Sequence, residues 1–190
     1  MDKIAVFASG SGTNAQNIND FFDSNSDINI DCILTNKPSA FVLERAKAMQ
    51  IDTLVFNRKQ FTEEQYVLDY LKKREVDWVV LAGFLWLIPE YLIKAFPNRI
   101  INIHPALLPN YGGKGMYGDK VHEAVIANQE KESGISIHFV NEKYDEGKII
   151  FQAKCKIEDT DTPESLASKI HALEYKHFPE VIEKCILDKG

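Results

Sequence analysis

The chain has 190 residues, a length that suits one domain, or two closely fused halves that share one sheet. Hydrophobic residues make up 45% and charged residues 26%, as in ordinary soluble enzymes, so a sizeable core needs no disulfide or structural metal. The net charge of −6 excludes a broad basic surface, and non-specific binding to nucleic acid is therefore not expected.

Three cysteines, Cys32, Cys155 and Cys185, lie far apart, and none belongs to a CxxC pair. This pattern indicates reduced thiols rather than a disulfide framework. The N-terminal apolar run is too short for a membrane span and lacks the flank of a signal-peptide cleavage site. The sequence predicts a cytoplasmic protein without a membrane partner, and it leaves the oligomeric state open, with a homodimer as one option.

Short apolar runs alternate with helical patterns, which is typical of βαβ units around a mostly parallel sheet. Strands are predicted at residues 4–8, 28–35, 53–56, 78–82 and 99–103. A helix is predicted after the first strand, and others at residues 39–49 and 63–74. The predicted fold class is α/β, a Rossmann-like twisted sheet with helices on both faces.

The second half of the chain begins with a long irregular segment. Residues 105–118 contain two prolines and four glycines, and such loops are uncommon unless they bind a ligand or act as lids. A helix at 119–128, strands at 134–140 and 148–156, and a turn at 145–147 are predicted next. Thr162 and Pro163 are the expected N-cap and first residue of another helix, and Pro179 is expected to start a last short one.

The segment SGSGTN at residues 9–14 follows the first predicted strand and precedes a helix. Glycines let the backbone approach a ligand closely, and a helix N-terminus offers free N–H groups to an anion. No lysine follows as in a Walker A loop, and the third glycine and acidic ribose partner of a dinucleotide fingerprint are missing. A phosphate site is favoured over a glycine turn that only starts a helix.

Asn102 and His104 lie two residues apart on a predicted strand, so their side chains point to the same side. Pro105 keeps His104 extended at the carboxyl end of that strand, where open α/β sheets bind ligands. Taken alone, the pair fits a catalytic role and a loop-capping role equally well. Asp145 taken alone is simply a turn former.

The apolar segment at residues 81–89, LAGFLWLIP, suits a flat aromatic ligand held by backbone polar groups. A hydrophobic helix entry packed in the core explains it equally well. His122, His171 and His177 lack metal-ligand spacing and are interpreted as structural or solvated. Because GxSxG and HExxH motifs are absent from the sequence, neither a covalent nor a zinc mechanism is expected.

Together these motifs resemble the phosphoribosylglycinamide formyltransferases, a branch of the folate-dependent formyltransferases. The resemblance rests on SGSGTN, VVLAGF, NIHPALLP and SIHFV followed by YDEG, which occur in the family's order from residue 1 to about 152. NIHP followed by LLP indicates the folate formyltransferases as a group, and the SGTN loop indicates the glycinamide branch. The resemblance implies transfer of a formyl group from 10-formyltetrahydrofolate, a co-substrate, to phosphoribosylglycinamide in purine biosynthesis, with small-molecule substrates and no metal.

The resemblance also implies a single domain, with a phosphate-binding half at residues 1–100 and a catalytic and folate-binding half at residues 101–190. It further implies which residues form the site. The implied catalytic set is Asn102, His104 and Asp145. The implied contacts to the substrate phosphate and sugar are Gly12, Thr13, Asn14 and Glu174. The implied folate pocket is lined by Leu85, Trp86, Leu87 and Ile88. Trp86 stands where relatives often carry arginine, and Glu63 and Glu64 lie where some carry a basic residue for the folate tail.

Formyl transfer passes through a tetrahedral oxyanion, for which the Asn102 amide and a protonated His104 would be the donors. The charge of Asp145 would raise the pKa of His104.

Three alternatives remain. A 10-formyltetrahydrofolate hydrolase would use the same Asn, His and Asp, but such hydrolases carry an additional N-terminal domain. A transfer-RNA formyltransferase is disfavoured by the acidic charge and by the lack of a C-terminal RNA-binding domain in this sequence. The non-enzymatic alternative is a phosphate- or nucleotide-binding module in which Asn102 and His104 are structural.

Overall fold

The computed structural model describes residues 1–23 and 27–188. Two compact units divide the chain, the first from Met1 to Ile101 and the second from Asn102 onward. The single-domain organisation and the functional roles of the two halves, 1–100 and 101–190, stay predictions.

The first unit contains four parallel strands and five helices among its described residues. In chain order these are β1 (Asp2–Phe7), α1 (Thr13–Phe22), β2 (Ile28–Thr35), α2 (Val42–Ala48), β3 (Asp52–Val55), α3 (Arg58–Thr62), α4 (Tyr66–Lys73), β4 (Trp78–Leu81) and α5 (Glu90–Ala95). The strand order is β3-β2-β1-β4, and each neighbouring pair is parallel. This is the order of a Rossmann-like half, and the predicted α/β class with a mostly parallel sheet is confirmed.

The central strands of this unit are buried along their length. Ile4, Val6 and Phe7 of β1 have no exposed surface, and all four residues of β4 are buried. Near-continuous apolar runs are typical of parallel strands covered on both faces. Because β1 and β4 are parallel neighbours, the segments that follow them emerge at the same edge of the sheet. The SGSGTN loop and the 82–88 segment therefore lie next to each other, and Ser9 N–H donates to the Gly83 carbonyl at 3.0 Å.

The second unit contains β5, whose residues Ile100–His104 cross the boundary, then α6 (Asp119–Ala127), β6 (Glu132–Phe139), β7 (Ile149–Lys156) and α7 (Pro163–Leu187). The strand order is β5-β6-β7, and β6 pairs with β7 in antiparallel orientation. Gly134 allows the two strands to approach, because a Cβ there would lie 1.9 Å from the Ala153 carbonyl oxygen. Residues 105–118 form no regular element, as predicted.

The C-terminal helix differs from the prediction. Thr162 and Ser165 form the predicted N-terminal cap, in which Ser165 N–H donates to Thr162 Oγ1 at 3.3 Å. The predicted separate helix starting at Pro179 is wrong, because Pro179 lies inside the continuous helix α7. A proline removes one backbone hydrogen bond, but the apolar face of α7 continues beyond it with Ile182 and Ile186 fully buried.

The first unit also differs from the prediction around residues 57–66. Helix α3 was not predicted; it is only five residues long and is held by a capping box between Asn57 and Gln60. The helix predicted at 63–74 begins later, at Tyr66, because Gln65 adopts a left-handed conformation with φ 53°. Short helices leave too few repeats for a periodic pattern to emerge from the sequence.

Candidate active site

His104 ends β5 and is buried, with 4% of its surface exposed. Its Nε2 atom lies 2.7 Å from the carbonyl oxygen of Tyr111. A carbonyl oxygen only accepts hydrogen bonds, so Nε2 carries a hydrogen and donates it. In the neutral ring, Nδ1 is therefore left with a lone pair that can accept a proton.

Asp145 lies in the turn between β6 and β7 with φ 55°, a left-handed conformation that aspartate tolerates better than most residues. Its Oδ2 atom lies 3.6 Å from Nδ1 of His104 and accepts a hydrogen bond from the Gly113 N–H at 2.9 Å. Its Oδ1 atom lies 3.6 Å from Nε2 of His138. At 3.6 Å the two histidine contacts are electrostatic rather than hydrogen bonds. The predicted pair of His104 and Asp145 is thus brought together from distant parts of the second unit.

His138 on β6 joins the pair to Asn102, although no role for it was predicted. Its Nδ1 lies 2.9 Å from the Phe139 carbonyl oxygen and must donate there, which leaves Nε2 of the neutral ring as an acceptor. Nδ2 of Asn102 lies 3.0 Å from that Nε2 and donates to it. The signal in the sequence was the alternation in SIHFV, which placed His138 on one face of the strand. Asn102, His138, Asp145 and His104 are called the His104 cluster below.

Burial sets the protonation state of the His104 cluster. Desolvation lowers the pKa of His104 below its ordinary value, although the nearby Asp145 charge and the Tyr111 hydrogen bond oppose this. Burial pushes the pKa of Asp145 upward, but His138, His104 and the Gly113 N–H outweigh it, so that pKa is lowered. The predicted influence of Asp145 on His104 has the expected sign. Desolvation, the largest influence, lowers the pKa of His104 and favours a neutral ring in the substrate-free protein. The protonated His104 expected during the reaction stays a prediction.

Gly12 explains the shape of the glycine loop. Its φ is 74°, and a Cβ there would lie 2.3 Å from Cγ2 of Val42, so any side chain would clash. The loop is also held from α2, because Nε of Arg45 donates to the Ser11 carbonyl at 2.9 Å. The loop is thereby fixed at the carboxyl edge of the first unit's sheet.

Thr13 and Asn14 open helix α1, as predicted, and both are half-buried. Gly12 is the N-cap residue of α1 and has no side chain with which to cap the helix. Backbone N–H groups at such an uncapped N-terminus are suited to an anion. Glu174, the other predicted substrate contact, lies on α7 in the second unit and is buried, with 6% of its surface exposed.

The segment predicted to line the folate pocket, residues 85–88, is a loop between β4 and α5 rather than part of a helix. The Leu85 N–H donates to Oγ of Ser9 at 3.1 Å, and this hydroxyl donates to Oδ1 of Asn36 at 2.6 Å. Leu87 is exposed, whereas Ile88 is buried in the core. Leu85 and Trp86, which are half-buried, are therefore better placed than Ile88 to meet a ligand.

Trp86 belongs to an aromatic group in the first unit. Its ring centroid lies 6.0 Å from that of Phe56, 5.8 Å from that of Phe61 and 6.2 Å from that of Phe84. The guanidinium carbon of Arg58 lies 4.8 Å from the Trp86 ring centroid, within the range of a cation–π contact. A cation, that of Arg58, therefore lies beside Trp86, the residue that stands where relatives often carry arginine.

Among residues 1–23 and 27–188, no group of three or more His, Cys, Asp or Glu side chains is placed to hold a metal ion. Within the same ranges, no helix has both the length and the apolar character needed to cross a bilayer.

The fold and the site define a Rossmann-like α/β protein with a cluster of histidine, aspartate and asparagine side chains and a glycine-rich loop at a helix N-terminus. The chain belongs to the formyl transferase family, whose model matches residues 2–182.

Several relatives carry the description phosphoribosylglycinamide formyltransferase. The chain is 44% identical over 187 residues to phosphoribosylglycinamide formyltransferase, chloroplastic, of Arabidopsis thaliana, covering 95% of this chain and 64% of that protein. It is 37% identical to phosphoribosylglycinamide formyltransferase of Bacillus subtilis, covering 98% of this chain and 95% of the relative. The crystal structure of phosphoribosylglycinamide formyltransferase from Bacillus halodurans matches with a TM-score of 0.89 and 36% identity, covering 99% of this chain and 96% of that chain. The chain thus spans slightly less than two thirds of the plant relative and nearly the whole of the bacterial ones.

Proposed function

We propose that the chain transfers the formyl group of 10-formyltetrahydrofolate to the amine of phosphoribosylglycinamide, a step of purine biosynthesis. The observation that carries this proposal is the His104 cluster, in which an amide donor, a neutral imidazole and a carboxylate are linked by distances of 3.0 to 3.6 Å. Membership of the formyl transferase family supports it. Formyl transfer to an amine requires a base, an oxyanion donor and a stabilising charge, and the cluster has one of each.

In this proposal the substrate amine attacks the formyl carbon, and a tetrahedral intermediate forms with its negative charge on the former carbonyl oxygen. One Nδ2 hydrogen of Asn102 is engaged by His138, and the other remains for that oxygen. His138 therefore acts as a positioning residue that orients the amide. Its own ring is held by the Phe139 carbonyl.

The proton of the attacking amine passes to Nδ1 of His104, directly or through water. The imidazolium that forms is stabilised by the Asp145 carboxylate, whose Oδ2 lies 3.6 Å away. The carbon–nitrogen bond to the folate then breaks, and the proton returns to the departing folate nitrogen. The protein needs no nucleophile, and the folate is consumed as a co-substrate.

We assign the substrate phosphate to the backbone N–H groups of Gly12, Thr13 and Asn14. These residues begin helix α1, and Gly12, its N-cap residue, has no side chain that could occupy the N–H groups. Glu174 is assigned to the sugar or glycinamide part, where a carboxylate can accept hydrogen bonds from hydroxyl and amine groups. Leu85 to Ile88 are assigned to the folate, with Leu85 and Trp86 as the main contacts.

Arg58 is expected to bind the carboxylates of the folate tail. No ion pair engages this exposed guanidinium within the described residues, and Trp86 holds it in place. Arg58→Ala is expected to raise KM for 10-formyltetrahydrofolate about two- to fivefold at low salt, the scale of an exposed ion pair, with kcat unchanged. The difference from wild type should shrink as salt rises, because salt screens exposed charges.

The matched control for this prediction is Lys59→Ala. Lys59 is the next residue on α3, and its Nζ is already paired with Glu64 at 2.8 Å. Steady-state kinetics should show no change in the folate KM of the control. If both variants behave alike, or if the Arg58 effect is independent of salt, Arg58 does not bind the tail.

The proposed function is tested by measuring loss of the formyl group from 10-formyltetrahydrofolate, with and without phosphoribosylglycinamide. We expect turnover only when the acceptor is present, because the acceptor's phosphate has a dedicated loop. Equal rates with and without the acceptor would identify a hydrolase instead. A thermal-shift response to nucleotides, without any turnover, would favour the non-enzymatic binding module.

The proposal also includes a cytoplasmic location and small-molecule substrates rather than nucleic acid. Its support is the acidic net charge of −6 and the three cysteines, which are all free thiols. Free thiols are typical of reducing compartments.

A further inference from the structure

A polar network lies beside the His104 cluster and is not part of the chemistry described above; it joins the buried Ser136 to Gln152, which is exposed. Ser136 of β6 is fully buried, and its Oγ donates to the Ala106 carbonyl at 2.7 Å and accepts from the Leu108 N–H at 2.9 Å. Nε2 of Gln152 on β7 donates to that same Oγ at 2.8 Å and to the Leu108 carbonyl at 3.0 Å. The Ser136 hydroxyl and the Gln152 amide nitrogen thus use every hydrogen they have.

The network binds the backbone of the segment that follows His104. Three of the bonds reach backbone groups of Ala106 and Leu108, and three residues later the Tyr111 carbonyl accepts the hydrogen of His104 Nε2 at 2.7 Å. The far side of Tyr111 is also held, because its hydroxyl donates to Glu130 at 2.7 Å and accepts from Asn128 at 2.9 Å. The segment that carries the Tyr111 carbonyl is therefore held on one side at Ala106 and Leu108 and on the other at the Tyr111 hydroxyl.

That carbonyl competes with Asp145 for the single hydrogen of the neutral His104 ring. A hydrogen on Nε2 is favoured by the Tyr111 carbonyl at 2.7 Å, and a hydrogen on Nδ1 would be favoured by the Asp145 carboxylate at 3.6 Å. If the segment moved, the Nε2 bond would lengthen and the Nδ1 tautomer would gain population. Nδ1 would then have no lone pair with which to accept a proton.

We infer that Ser136 and Gln152 are positioning residues that select the Nε2–H tautomer of His104 through the Tyr111 carbonyl. The inference deepens the proposed function, because that tautomer leaves Nδ1 free to act as the base. It also gives a reason why two polar side chains bind the backbone of an irregular segment, since the buried Ser136 hydroxyl makes directional hydrogen bonds in a low-dielectric environment.

The inference is tested with Gln152→Leu, which removes both donors at similar side-chain length. Long-range ¹H–¹⁵N NMR at pH 8 should place the hydrogen of His104 on Nε2 in the wild type and increase the Nδ1–H tautomer in the variant. The value of kcat should fall about 10-fold or more, because small misplacements of a catalytic group are costly, while KM for both substrates changes less than about twofold. Lys154→Ala is the matched control, since Lys154 lies on the same strand and its exposed Nζ pairs with Glu132.

Ser136→Ala decides the question if Gln152→Leu does not fold, because it removes the same link with the loss of a single oxygen atom. A folded variant that keeps the wild-type tautomer, or one that keeps the wild-type kcat, overturns the inference. The tautomer is measured without substrate, so its result is independent of whether the proposed formyl transfer is correct.

Discussion

Replacing His104 with alanine is expected to lower kcat by about 10²-fold or more, the usual scale for loss of an acid–base group. The physical reason is that Nδ1 of His104 is the group that accepts the proton of the attacking amine, with Asp145 at 3.6 Å to stabilise the imidazolium. Dissociation constants of both substrates should change much less than kcat, because the ring is buried behind the Tyr111 carbonyl. Steady-state kinetics and direct binding measurements separate the two effects.

Asn102→Ala should have a loss of similar size, because it removes the oxyanion donor. His177→Ala is the matched control: His177 lies on α7, where its ring is tilted against that of Phe151, with 4.9 Å between the centroids, and its Nδ1 lies 3.8 Å from Glu180. That variant should keep the wild-type kcat. If His104→Ala retained a near wild-type rate, the cluster would be structural and the mechanism wrong.

Asp145→Asn is expected to cost at least as much as His104→Ala, again about 10²-fold in kcat, because the imidazolium loses its counter-charge. Asparagine tolerates the left-handed conformation of residue 145 as well as aspartate does, so the loss of activity should not come from unfolding. The pH dependence gives a second readout. Activity requires neutral His104, so kcat/KM falls as pH drops through the pKa of this residue.

Burial places that pKa below its ordinary value, and the acid limb of the wild type should therefore lie below about pH 6.5. The Asp145 charge raises the pKa of His104, so its removal should move the acid limb to still lower pH. Glu146→Gln is the control, because Glu146 is the adjacent residue and pairs with Lys143 at the surface. An acid limb that stays in place or moves to higher pH in Asp145→Asn would contradict the assignment.

Much of the fold could be predicted from local patterns. The strand at residues 28–35 has the predicted bounds, and the glycine loop follows β1 as expected. Apolar runs and turn residues reflect the local conformation of the chain, and local conformation is enough to locate strands and helix caps. The continuous helix α7 was not predicted, because a proline is a local signal for a helix start. The helix continues past Pro179 because Ile182 and Ile186 are buried in the core, and this burial depends on tertiary packing.

The sequence by itself determined the pairing of Asn102 with His104 on one face of a strand and the glycine loop before a helix, because both follow from backbone periodicity. Only the tertiary structure placed Asp145 between His104 and His138, at 3.6 Å from each, since His104 lies on another strand, more than thirty residues before either of them. It also decided the direction in which the pKa of His104 is shifted, which is downward, because desolvation depends on what surrounds a ring and not on its neighbours in the chain. The tautomer of that ring depends on the Tyr111 carbonyl, whose position is set by hydrogen bonds from two other strands.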